Sequence, residues 1–141
     1  MEIQRRILGI DYGRKRIGIA VCDPFRLFAR AVKVVNNNHG ALNEILSVSK
    51  EFDVEKIVIG MPVRMNGEKS AMTLEVEAFA NELHKLFSGE IIFEDERMSS
   101  KQAQQIIRDV GTKKKKRREK GTVDKVAAVL ILQAYLDDLP Q

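Results

Sequence analysis

Acidic residues in three separate segments are of the type and setting that could do chemistry. Asp11 stands inside an apolar run, ILGIDYG, where a carboxylate is costly unless it is paired, hydrogen-bonded or bound to a metal. Its plainer role would be to start the turn at Gly13. The run Glu94-Asp95-Glu96-Arg97 follows an apolar strand pattern, and acids at the carboxyl edge of an internal strand face the crevice where α/β folds bind ligands. Asp95 and Glu96 would project to opposite sides, so only one of them can join Asp11. A solvated stretch leading into a helix cap at Ser99 accounts for these acids equally well. Asp124 falls in the first turn of a final helix, where a carboxylate also suits the helix dipole. Ala127 and Ala128 follow it and offer a small-residue surface by which that helix could approach a sheet and carry Asp124 to the strand acids. Separated carboxylates with no paired histidine or cysteine suit a hard cation, Mg²⁺ or Mn²⁺, bound together with substrate phosphates. Two such ions can activate water and stabilise the leaving oxygen of a phosphodiester.

The complementary charge is concentrated in one place. The 141 residues carry 24 Lys+Arg against 20 Asp+Glu, a net +4, yet Lys113 to Lys120 alone reads KKKKRREK, a local +6. The rest of the chain is therefore slightly acidic, at −2. Six unbalanced charges between Gly111 and Gly121 fit a mobile basic loop, 113–121, that neutralises phosphates without reading sequence. A merely solvated charged loop is the alternative. Other chemistries are excluded by count. Cys22 is the single cysteine, so neither an intramolecular disulfide nor a CxxC zinc site exists. His39 and His84 lie too far apart for an HExxH pair, and there is no GxxxxGK[ST] phosphate loop. The longest apolar run, Val126 to Leu132, is far short of a membrane span, and the opening MEIQRRILGIDYG does not read as secretory. A cytoplasmic protein without a membrane partner is expected.

The elements that must position these residues are legible from periodicity. Arg6 to Tyr12, Arg16 to Asp23 and Leu27 to Val35 read as three strands of an antiparallel meander, the first two joined through Gly13-Arg14-Lys15. From Gly40 the period becomes helical, with Leu42, Ile45, Leu46, Ser49 and Phe52 on one face. Lys56 to Met61 reads as a strand buried on both sides. A loop with an Asn-Gly turn follows, then a helix marked by Met72, Val76, Phe79, Leu83 and Leu86. Glu90 to Asp95 is the fifth strand. Ser99 with Gln102 forms a capping-box pattern for a helix buried through Ala103, Ile106, Ile107 and Val110. Thr122 caps a last helix that is apolar almost all round. This order predicts one α/β domain over 1–141, with a mixed five-stranded sheet of three antiparallel strands followed by parallel ones, flanked by helices.

Four segments in order resemble the YqgF/RuvX family of Holliday-junction-resolvase-like nucleases, which have the ribonuclease H fold. They are ILGIDYGRKRIGIAVCD, GMPVRMNGEKS, EDERMSSKQA and VDKVAAVLILQAYLD. The resemblance, not the spacing, selects Glu96 over Asp95 and implies an acidic metal site of Asp11, Glu96 and Asp124, with Arg97 beside it. It implies a metal-dependent endonuclease using Mg²⁺ or Mn²⁺, acting on the 5′ end of pre-16S rRNA in ribosome biogenesis. The alternatives are a Holliday junction resolvase acting on DNA and a nucleic-acid-binding module without catalysis. Expected phosphate contacts are Lys15, Arg16 and Arg97, together with Lys113, Lys114, Lys115, Lys116, Arg117 and Arg118. The partner is structured RNA or branched DNA, and the protein acts as a monomer or a homodimer.

Overall fold

The computed structural model describes residues 2–62, 69–95 and 120–140, with side chains in the last stretch described from residue 125 onward. Five strands form one sheet: β1 (Arg6–Tyr12), β2 (Arg16–Cys22), β3 (Ala29–Asn36), β4 (Val54–Met61) and β5 (Glu90–Asp95). Helix α1 (Ala41–Glu51) joins β3 to β4, α2 (Ala71–Leu86) precedes β5, and α3 (Lys120–Asp137) closes the chain. The strand order is β3-β2-β1-β4-β5. β1–β2 and β2–β3 are antiparallel, whereas β1–β4 and β4–β5 are parallel. This is the mixed sheet expected from the sequence. Among the described residues, no helix is long and apolar enough to cross a membrane.

β1, β2 and β4 read as near-continuous apolar runs because both of their faces are covered. Leu8, Ile10, Ile17, Ile19, Ile57 and Ile59 pack against Ile45 of α1 and Val76 and Leu83 of α2. Ile7, Ala20, Cys22 and Val58 face Ala128, Ile131 and Leu132 of α3. Burial of each such aliphatic side chain contributes about 1.5–3 kcal/mol. The Ser70 hydroxyl caps α2 by accepting the Thr73 N–H at 3.1 Å.

Several boundaries differ from the sequence reading; β2 ends at Cys22, not Asp23, and β3 ends at Asn36, not Val35. β3 starts at Ala29, not Leu27, because the Asp23 carboxylate holds the backbone before it in a turn. Oδ1 accepts the N–H groups of Leu27 and Phe28 at 2.8 and 2.7 Å, and Oδ2 accepts that of Phe25 at 3.0 Å. β4 starts at Val54, which pairs with Arg6 across an irregularity in the ladder. The last helix begins at Lys120 and not at a Thr122 cap, since propagation adds a hydrogen bond for each residue fixed. Lys120 and Gly121, expected to end the basic loop, are therefore helical. The helix expected from Ser99 lies outside the described residues, as do 63–68 of the Asn-Gly loop.

Asp23 makes a pH prediction. Partial burial pushes its carboxyl up, but hydrogen bonds from the backbone N–H groups of Phe28, Leu27 and Phe25 and from its own N–H outweigh this and leave it below the usual aspartate value. A carboxyl lowered on folding contributes stability above its unfolded pKa of about 3.9 and loses it as pH falls through the folded value. Thermal melts of the wild type should exceed those of Asp23→Asn at neutral pH, with the gap closing below about pH 4. A gap that stays constant with pH would refute this role.

Candidate functional site at the end of β1

The alternation of β1 decides where Asp11 faces. Ile7 belongs to the cluster under α3, whereas Leu8 and Ile10 belong to the opposite core, so Asp11 shares the α3 face with Ile7 and Gly9. On one side Asp11 is paired with Gly18 of β2. On the other, Ile10 is level with Ile59 of β4, and the next β4 residue is Gly60. A half-buried carboxylate thus sits between two positions without side chains, at the carboxyl ends of parallel strands. Arg16 lies two residues from Gly18 on that same face of β2, diagonal to Asp11.

Glu94 is the described acid on this face at the carboxyl end of β5. It is level with Gly60, two residues beyond Ile92, which packs with the α3 cluster. Asp11 and Glu94 are two strands apart, about 9.6 Å by strand spacing. Burial pushes the Glu94 carboxyl above the usual glutamate value, and the charges of Asp138 and Asp95 add to this. Asp95, level with Met61, falls on the opposite face, so the alternation separates it from Asp11. The sequence reading passed over Glu94; the signal was available in the same period-two count that set Asp95 against Glu96.

Helix α3 crosses this face at very close range. A Cβ placed at Gly9 would lie 2.6 Å from the Cβ of Leu132 and 3.2 Å from the carbonyl oxygen of Ala128. Ala128 is fully buried, so the small-residue surface read from sequence is used, and Gly9 is its counterpart on the sheet. Among its described side chains, however, the buried ones are Ala128, Ile131, Leu132 and Leu136, on one side of the helix. Asp124 stands one helical turn before Ala128 and is the fifth residue of α3, not part of its first turn. The dipole explanation for an acid there is correspondingly weaker, because that effect fades beyond the first turn.

The hairpin beside Asp11 is fixed by its own contacts. Nε and Nη2 of Arg14 reach Oε2 of Glu75 on α2 at 2.8 and 2.7 Å. Lys15 is exposed, and its carbonyl accepts the Asn37 N–H at 2.9 Å. The structure therefore places Asp11, Arg16 and Lys15 around one strand end, with α3 on the Asp11 face. Glu96, Arg97 and the basic residues 113–118 lie outside the described residues, and the described part of Asp124 is its backbone in α3. Among the described residues, no three acidic, histidine or cysteine side chains cluster as a metal centre.

Comparison with known proteins adds independent information. Residues 5–138 match the family model described as "RuvX: Holliday junction resolvase". A Syntrophus aciditrophicus protein named "Putative pre-16S rRNA nuclease" is 42% identical over 96% of this chain and 91% of its own length. A Porphyromonas gingivalis protein of the same name is 43% identical over 94% of this chain and 96% of its own. Among solved structures, T. thermophilus RuvC in complex with a Holliday junction substrate matches with a TM-score of 0.52 at 20% identity. That match covers 94% of this chain and 96% of RuvC, a likeness of fold.

Proposed function

We propose a substrate and a mechanism from the premise that this chain belongs to the RuvX family of Holliday-junction-resolvase-type nucleases and has their ribonuclease H-like fold. The protein is a nuclease; the reading proposed is a divalent-metal-dependent endonuclease that processes the 5′ end of pre-16S rRNA in the cytoplasm, within one domain over 1–141. The observation that carries it is the setting of Asp11, an acid on the α3 face flanked by Gly18 and Gly60. Glycine at both flanking strand positions keeps β2 and β4 side chains from filling the space where an ion and a phosphate would sit.

The donors fit a hard cation, since Asp11 and the neighbouring Glu94 offer only carboxylate oxygens. Asp11, Glu96 and Asp124 are the proposed ligands of Mg²⁺ or Mn²⁺. When bound, such an ion neutralises the scissile phosphate and activates water for attack. Arg16 and Lys15 steady the phosphate from the hairpin side, and Arg97 does so from the β5 side. Residues 113–118 hold flanking phosphates, which explains why the charge sits in one segment of an otherwise acidic chain. The RuvC complex with a Holliday junction supports a second reading, a resolvase acting on DNA as a dimer.

One assay separates these readings. The protein with Mn²⁺ is incubated in parallel with precursor-rRNA leader, single-stranded RNA and a four-way DNA junction, and the cuts are mapped. Defined cuts near the 16S 5′ end are expected. Paired cuts confined to the junction, with dimer formation on it, would transfer the assignment to the resolvase reading. Saturable binding without any cut would leave a binding module.

A further inference from the structure

A cavity of about 300 Å³ opens behind the end of β1, on the face opposite Asp11. Its described lining includes Tyr12, Phe79, Asn37, Asn38, Glu75 and Glu82, with no Lys or Arg among the described lining residues. The Tyr12 and Phe79 rings pack with centroids 4.9 Å apart and planes tilted by 47°. The walls are tied together. Nδ2 of Asn37 donates to the Gly13 carbonyl at 2.8 Å, and Oδ1 of Asn38 accepts the Gly40 N–H at 2.9 Å. The Arg14–Glu75 pair joins the hairpin to α2. The pocket is thus held by the hairpin, the loop before α1, and α2.

We propose that this cavity receives one unpaired nucleobase, with guanine preferred, from the strand whose phosphate is cut at Asp11. The proposal rests on the nuclease reading above and names a recognition subsite for it. Three observations support a base over other ligands. Two glutamates and no Lys or Arg in the described lining disfavour a phosphate there, so the backbone itself does not belong here. Aromatic faces stack on any base, and unstacked bases are read on their Watson–Crick edges. Asp11 and Tyr12 are consecutive and face opposite ways, so a strand crossing the end of β1 meets both.

Guanine follows from the acceptors. Its N1–H and N2–H groups lie side by side and match the two oxygens of one carboxylate, whereas uracil offers one N–H between two carbonyls. Glu75 is engaged by Arg14 through two short contacts on Oε2. Among the described residues, Glu82 makes an exposed pair with Lys85 at 2.7 Å, a contact of the kind that contributes little. Glu82 is therefore the acceptor for the base.

The test uses oligonucleotides that the wild-type protein cuts with Mn²⁺, with each nucleotide around the mapped cut replaced in turn by an abasic residue, guanine or uracil. One position should respond. Removing its base should raise KM about ten- to a hundredfold, the worth of one stacked base, with a smaller change in kcat. Guanine should outperform uracil there by about tenfold, the worth of one good hydrogen-bonded match. Tyr12→Ala should make the protein indifferent to that base, Tyr12→Phe should restore most of the loss, and Glu82→Gln should remove the guanine preference. In the Asp11→Asn variant, 2-aminopurine at that position should change its fluorescence on binding, unless Tyr12 is also replaced by Ala. Cutting that is insensitive to base removal at every position, or a base response unchanged by Tyr12→Ala, overturns the proposal and leaves the nuclease reading standing. Failure to cut or bind any oligonucleotide overturns both.

Discussion

Asp11→Asn is expected to lower phosphodiester cleavage by about a thousandfold or more while leaving the fold intact. That magnitude corresponds to the several kcal/mol of transition-state stabilisation a bound divalent ion supplies. Asparagine has the shape of aspartate, and the position is half-buried at a strand end between Gly18 and Gly60, so nothing in the apolar core has to move. The backbone pairing of residue 11 with Gly18 is independent of its side chain. Circular dichroism and the melting temperature should therefore match the wild type closely, and calorimetry should show loss of saturable Mn²⁺ binding. A folded Asp11→Asn protein that cuts at the wild-type rate would eliminate the proposed mechanism, whatever substrate the assay used.

Gly9→Val should have the largest effect on stability, about 1–3 kcal/mol from overpacking and more if the sheet cannot yield. The added Cβ alone would stand 2.6 Å from the Cβ of Leu132 and 3.2 Å from the backbone oxygen of Ala128. Neither atom can swing aside, so relief requires moving α3 away from β1. The loss should appear as a lower urea midpoint, with activity falling further than the folded fraction if Asp124 of α3 is the metal ligand proposed above. Leu132→Ala should fail to rescue it, since alanine keeps the offending Cβ. A Gly9→Val protein as stable as the wild type, or one rescued by Leu132→Ala, would show that the close approach is not a constraint.

Glu94 illustrates what alternation can and cannot deliver. Counting by two along β5 is enough to place Glu94 and Asp95 on opposite faces, and the register with Gly60 then puts Glu94 level with Asp11. What no count supplied was the strand order, because parallel neighbours far apart in sequence are chosen by how helices cover the faces. Only the order β2-β1-β4-β5 makes Gly18 and Gly60 the flanking residues of Asp11. Helix starts were similarly underdetermined. Thr122 has the chemistry of a cap, yet α3 runs back to Lys120 and moves Asp124 out of the first turn.

By itself, then, the sequence determined the five strands, the helical segments on either side of β4, the acid set apart inside β1, and the segregation of basic charge into one run. These are local properties, set by side-chain period and by the cost of an acid in an apolar strand. Tertiary structure alone decided that Gly9 must be glycine, that Asp11 lies between two glycines, and that Tyr12 opens onto a separate cavity. Each depends on which distant segment packs against β1, and that contact is selected by burying apolar area over the whole sheet, which no short window of sequence records.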